Sequence, residues 1–130
     1  VPDLIPVPMP FCLATVAPSG LVSVSGVIGT TPGTLALAEG GVGPQTSHCL
    51  EHLRLALAAC GLRPDHLVKV QVYLKDNDGS LAPGGRFYEM NEAYKAFFAK
   101  TGSRLPARIT VGCGTLALGA EVEIDAQAHV

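Results

Sequence analysis

Residues 105–128 read L-P-A-R-I-T-V-G-C-G-T-L-A-L-G-A-E-V-E-I-D-A-Q-A, and the pattern is that of two short strands. Along the first, Ala107, Ile109, Val111 and Cys113 alternate with Arg108, Thr110, Gly112 and Gly114. Along the second, Ala120, Val122, Ile124 and Ala126 alternate with Glu121, Glu123, Asp125 and Gln127. Side chains two apart share a face of a strand, so each strand has an apolar face and a face that can carry chemistry. With the two strands as neighbours, Arg108 and Glu123 fall on one polar face. A guanidinium fork grips a carboxylate at two points, and a nearby glutamate can move a proton. Taken alone, the same pair also reads as a cross-strand ion pair, worth about 0–1 kcal/mol if exposed.

Upstream of that stretch, residues 66–75 alternate in the same way, with Val68, Val70, Val72 and Leu74 against Lys69, Gln71, Tyr73 and Lys75. Two helical patterns flank this strand. Over residues 46–60, Cys49, Leu50, Leu53, Leu57 and Cys60 form one apolar stripe. Thr46 or Ser47 is placed to cap its start, and Gly61 to close its end. Over residues 86–100, Phe87, Met90, Tyr94, Phe97 and Phe98 form the second stripe, read as core, with Asn91 and Tyr94 able to edge a cleft. Strands are expected at 11–17 and 21–25, joined by the turn Pro18-Ser19-Gly20. The loop at 30–44 carries Gly40-Gly41-Val42-Gly43 but lacks the G-K-[S/T] ending of a phosphate loop.

The order β-β-α-β-α-β-β, with helices segregated from a mixed sheet, predicts a single α+β domain of two layers over residues 1–130. Two helices cover only one face of such a sheet. The other face must be polar or meet another subunit. The composition fits the second option, being 48% hydrophobic and only 15% charged.

Net charge is −2, with no basic tract, which argues against a nucleic-acid partner. Residues 4–38 carry no charge, but their prolines and glycines break any membrane-spanning helix, and no signal peptide is visible. Cys12, Cys49, Cys60 and Cys113 form no C-x-x-C pair and are read as reduced thiols of a cytoplasmic protein. His48-Cys49-Leu50-Glu51-His52 has the H-x-x-E-H pattern of a zinc site. No third ligand follows, and the apolar stripe turns both histidines towards solvent, so they are read as surface residues and no metal or cofactor is expected.

Pro106-Ala107-Arg108, Val111, Leu116 and Val122-Glu123-Ile124 resemble the signature of the Rid/YjgF family, the reactive enamine/imine deaminases also labelled endoribonuclease L-PSP. Further segments are similar in order and spacing: Ser25-Gly26-Val27-Ile28, Cys60-Gly61-Leu62, Val68-Lys69-Val70, Tyr73-Leu74-Lys75-Asp76, and Asn91-Glu92-Ala93-Tyr94 with Phe97-Phe98.

The resemblance implies a chorismate-mutase-like fold with two helices on one face, a homotrimer with clefts between subunits, and hydrolysis of 2-aminoacrylate-like enamines or imines to 2-oxo acids and ammonia. Arg108 falls on the arginine that binds the substrate carboxylate, and Glu123 on the glutamate that places the water. Phe11, Ser25, Gly26, Val27, Asn91 and Thr110 fall on substrate-binding positions. Phe11 stands where active deaminases often carry tyrosine, Thr110 where cysteine is frequent, and the loop from 77 to 85 is longer than usual. These departures leave a rival open, a carboxylate-metabolite binder without turnover. The ribonuclease reading carried by the family label is the weakest, for want of a basic surface.

Overall fold

The structure, a computed structural model, describes residues 8–76 and 85–130. The extended proline-rich start at 1–7 and most of the long loop, 77–84, lie outside the described residues. In chain order the elements are β1 (Ala14–Val16), β2 (Leu21–Ile28), α1 (Val42–Ala59), β3 (Leu67–Lys75), α2 (Gly85–Thr101), β4 (Ala107–Cys113) and β5 (Val122–His129).

The five strands form one mixed sheet in the order β1-β2-β5-β3-β4, with only β3 and β4 parallel. This is the expected α+β architecture of two layers. Both helices pack on one face, over a core of Val22, Val24, Val70, Val72, Leu74, Val122, Ile124 and Ala126. From α1 come Cys49, Leu50, Leu53 and Leu57, and from α2 come Met90, Tyr94 and Phe98. Phe87 and Phe97 are half-buried against this core.

Several boundaries differ from expectation. Helix α1 begins at Val42, after Gly40 and Gly41 at φ 105 and 88, so Thr46 is not its cap. Thr46 instead lies inside the helix and donates its hydroxyl to the Val42 carbonyl at 2.7 Å. Its other end is as expected: Gly61, at φ 75, donates to the Ala58 carbonyl, and Leu62 to that of Leu57. Strand β1 is confined to three residues, and β2 runs on to Ile28.

One irregularity shapes the site. Val24 stands opposite Ala126 and Val27 opposite Ile124, so β2 carries one extra residue at Ser25-Gly26. Such a bulge re-aims the side chains beside it. All four cysteines are free. Among the described residues, no helix is long and apolar enough to cross a membrane.

Candidate active site

Arg108 and Glu123 do not share a face. β3 lies between β4 and β5, so the two strands are not neighbours. Arg108 stands level with Val70, which points into the helix-covered core. Glu123 stands level with Tyr73, on the opposite, open face. The expectation of a single polar face holding both groups is therefore wrong. Its premise, direct pairing of the last two strands, is replaced by a parallel pairing of β4 with β3.

Arg108 sits at the edge of the helical layer. Its guanidinium lies over the Tyr94 ring, 4.8 Å from the centroid, and one NH group lies 3.8 Å from the Met90 sulfur. A flat cation over an aromatic face is held without being neutralised. Among the described residues Arg108 makes no ion pair. It lines an open groove with Tyr88, Asn91, Tyr94, Leu105 and Pro106. The Tyr94 hydroxyl is buried without a hydrogen-bond partner among the described residues, and burial pushes its pKa up to about 12, with Arg108 acting the other way. Thr110 follows Arg108 on the same face, and its hydroxyl too is buried with no hydrogen-bond partner among the described residues. This side of the sheet thus brings Arg108 and Asn91 of the expected set to one groove, while Thr110 shares the face but is not in the groove's lining.

Glu123 lies at the bulge of β2. A Cβ added to Gly26 would stand 2.5 Å from Glu123 Oε2, so only glycine leaves this carboxylate its position. Burial first, and the Asp125 carboxylate second, raise the Glu123 pKa. Burial likewise raises that of Asp125, while a hydrogen bond donated by the Tyr73 hydroxyl at 3.4 Å opposes it. Glu123 opens on a cavity of about 500 Å³ shared with Phe11, Gly26 and Val27. Ser25 is not in its lining; its hydroxyl donates to the Cys12 carbonyl at 2.7 Å and ties the N-terminal segment to β2.

His52 overturns a second expectation. It is buried rather than solvent-facing, and its Nε2 lies 2.7 Å from the Thr30 carbonyl oxygen. The bond braces the loop after β2 on α1, beneath the same cavity. Burial lowers the His52 pKa, so the neutral ring donates here. His48 is half-buried, with Nδ1 3.0 Å from the Pro44 carbonyl oxygen. Both histidines serve the fold of α1 and its approach. The sequence reading missed His52 because helical periodicity alone places it beside the stripe, while the loop that covers it comes from elsewhere in the chain. It also missed Leu13, Leu35 and Leu118, which line the Glu123 cavity from three separate segments and share no local motif. Cys113 is half-buried, and burial raises its pKa, which suits an inert thiol rather than a nucleophile.

These features define a two-layer α+β domain that displays a cation and a carboxylate on opposite faces of one sheet. Residues 8–130 match the family model described as Endoribonuclease L-PSP, and the chain belongs to that family, also known as Rid/YjgF. It is 37% identical to a RutC family protein of Aquifex aeolicus over 92% of this chain and 89% of that protein. It is 35% identical to the 2-iminobutanoate/2-iminopropanoate deaminase of Salmonella typhimurium, over 82% of this chain and 77% of that enzyme. The crystal structure of E. coli TdcF with bound serine superposes with a TM-score of 0.85 at 25% identity, covering 100% of this chain and 95% of that one.

Proposed function

We propose that the protein hydrolyses small 2-imino acids to 2-oxo acids and ammonia, in clefts that form between copies of the chain in a homotrimer. One copy contributes Arg108, Asn91 and Thr110. Its neighbour contributes Glu123, Gly26, Val27 and Phe11. The observation that carries this reading is that Arg108 has no carboxylate partner among the described residues. An unpaired guanidinium, held on an aromatic ring at a groove, is suited to take a substrate carboxylate. Each charge-assisted hydrogen bond there contributes about 1.5–3 kcal/mol. The relatives named as deaminases support the chemistry.

An enamine such as 2-aminoacrylate first takes a proton on its methylene carbon and becomes the imine. Water held by Glu123 then adds to the C=N carbon, passing one proton to the carboxylate. The nitrogen takes up protons, the C–N bond breaks, and ammonia leaves as the C=O bond forms. A raised pKa suits a carboxylate that must accept and return a proton, a contribution of about 10²–10⁴ in rate.

The test is an assay with 2-aminoacrylate released from serine by a dehydratase in the same cuvette. The wild-type protein accelerates pyruvate formation over the spontaneous rate, and Arg108→Ala returns it to that rate. Acceleration that survives Arg108→Ala refutes the assignment. A second reading, capture of a carboxylate metabolite without turnover, is favoured by Phe11, which brings no hydroxyl to the cavity. Calorimetric binding of 2-oxobutyrate without any acceleration would select it.

A further inference from the structure

Arg108 is restrained by two core residues of α2. Its guanidinium lies 4.8 Å from the centre of the Tyr94 ring, and one NH group lies 3.8 Å from the Met90 sulfur. Met90 and Tyr94 stand four apart in sequence, so they occupy successive turns on one face of the helix. Both are themselves fixed. Met90 is 0% and Tyr94 4% exposed, and the Tyr94 ring is braced by Phe98 at 4.9 Å, which in turn meets Phe97 edge-on at 5.1 Å. The cation therefore rests on a surface that cannot swing away with it.

Both contacts are neutral, although the groove has a carboxylate in its lining. Glu92 lines it, but bonds to Lys95 at 3.2 Å on its own helix. An arginine bonded to a glutamate would also be held, but with its fork filled. A ring face restrains the plane of the guanidinium and leaves its N–H edge open. A free arginine side chain gives up much rotamer freedom on binding, and one already fixed gives up less. The Tyr94 hydroxyl has no hydrogen-bond partner among the described residues, so the ring face is what Tyr94 contributes here.

We infer that Tyr94 is a positioning residue for Arg108. Its ring, with Met90 beside it, fixes the plane of the guanidinium, and the carboxylate affinity of the groove depends on that ring face rather than on the hydroxyl. The consequence for affinity rests on the reading of Arg108 as the carboxylate anchor. The restraint itself is a property of the protein before any ligand arrives.

Exchange NMR of the arginine Nε–Cζ group measures the restraint directly in the whole protein, with the Arg108 signal assigned by its loss in Arg108→Lys. Rotation about Nε–Cζ is expected to be at least about tenfold slower in the wild type than in Tyr94→Leu. Calorimetry with 2-oxobutyrate should give a Kd about five- to thirtyfold higher in Tyr94→Leu, with KM for the imine rising in step and kcat falling less than about threefold. Tyr94→Phe keeps the ring and must return both rotation and Kd to within about twofold of the wild type. A Tyr94→Phe as weak as Tyr94→Leu makes the hydroxyl the agent and overturns the inference. Rotation equally fast in wild type and Tyr94→Leu overturns it as well. If Tyr94→Leu does not fold, Met90→Leu decides, since it keeps the core volume and removes the sulfur. It must speed rotation at least about threefold with unchanged circular dichroism, and an unchanged rate overturns the inference. Slow rotation and binding of 2-oxobutyrate with no imine hydrolysed sink the deaminase reading alone. Imine hydrolysis with a Kd that Tyr94→Leu does not move sinks this inference alone.

Discussion

Arg108 and Glu123 stand on opposite faces of one sheet, on strands separated by β3. A single copy therefore cannot bring the two groups to one small molecule. Nor do they neutralise each other, which would have left neither free to act. The closed ring of identical copies proposed above would resolve the geometry, because in a ring one face of each subunit meets a different face of the next. The open face has the character of such a contact. Ile109 is 48% and Val111 37% exposed there, beside a row formed by Gln71, Tyr73 and Asp125.

Complementation tests the division of labour. Arg108→Ala and Glu123→Ala are each expected to be inactive as pure proteins. When the two are unfolded, mixed and refolded together, a cleft is whole wherever an intact Arg108 meets an intact Glu123 of a neighbour. Random association in a ring gives about a quarter of the wild-type activity. A mixture as inactive as its parents would show that both residues act from the same chain.

The pH profile reports on Glu123. Its pKa is raised from 4.5, first by burial and then by Asp125. Activity that needs the carboxylate form rises as pH climbs through that raised value. Asp125→Asn removes the like charge, so the acid limb of kcat/KM should move to lower pH. Stability runs the other way. The folded state binds more protons than the unfolded chain between 4.5 and the raised value, so this group's contribution declines as pH rises through that window. Glu123→Gln should flatten that decline in a denaturant series and lower kcat about 10²–10⁴-fold. An acid limb that stays in place in Asp125→Asn would remove Glu123 as its origin.

The element order, both helices, the alternation of β5 and that of β3 from Val70 on were legible because periodicity is a local property. At the start of β3 an irregularity in its pairing with β5 buries Leu67 and leaves Val68, expected on the apolar face, 52% exposed. Val122, Ile124 and Ala126 are all at 0% exposure, as their alternation implied. The face of β4 was not legible. Ala107, Ile109 and Val111 alternate like core residues, yet they look away from the helices, and Arg108 and Thr110 look towards them. Alternation shows that two faces differ, but not which is covered by the chain itself and which by a partner. Strand order decides that, and it depends on contacts distant in sequence. Glu123 and Gly26 were read as site residues by resemblance. Their close approach depends on a bulge that no local pattern marks.

His52 predicts a separate pH dependence of stability. Burial lowers its pKa below the ordinary value of 6.5. As pH falls through 6.5 the unfolded chain takes up a proton that the folded state resists, and stability drops until the folded value is reached. His52→Gln should abolish this acid-side loss while lowering stability at neutral pH by about 1–3 kcal/mol, if the Thr30 carbonyl is left unpaired. Chemical denaturation at matched protein concentration, from pH 5 to 8, measures both. A wild-type stability that is flat across this range in all but carboxylate effects would mean the imidazole is not held neutral.

The open face predicts the last outcome. Ile109 adds nothing to the core of its own chain, so Ile109→Glu should fold with unchanged circular dichroism. On the sheet it stands level with Gln71, which stands level with Asp125, so a new carboxylate there adds to an existing negative charge. Packed against another copy, it would be desolvated without a cation, a loss large enough to dissociate an interface. Light scattering should then report a trimer for the wild type and a monomer for the variant. Deaminase activity should vanish with the assembly, although Arg108 and Glu123 are intact in every molecule. A monomeric wild type would remove the shared cleft. A trimeric and active Ile109→Glu would show that the copies meet through some other surface.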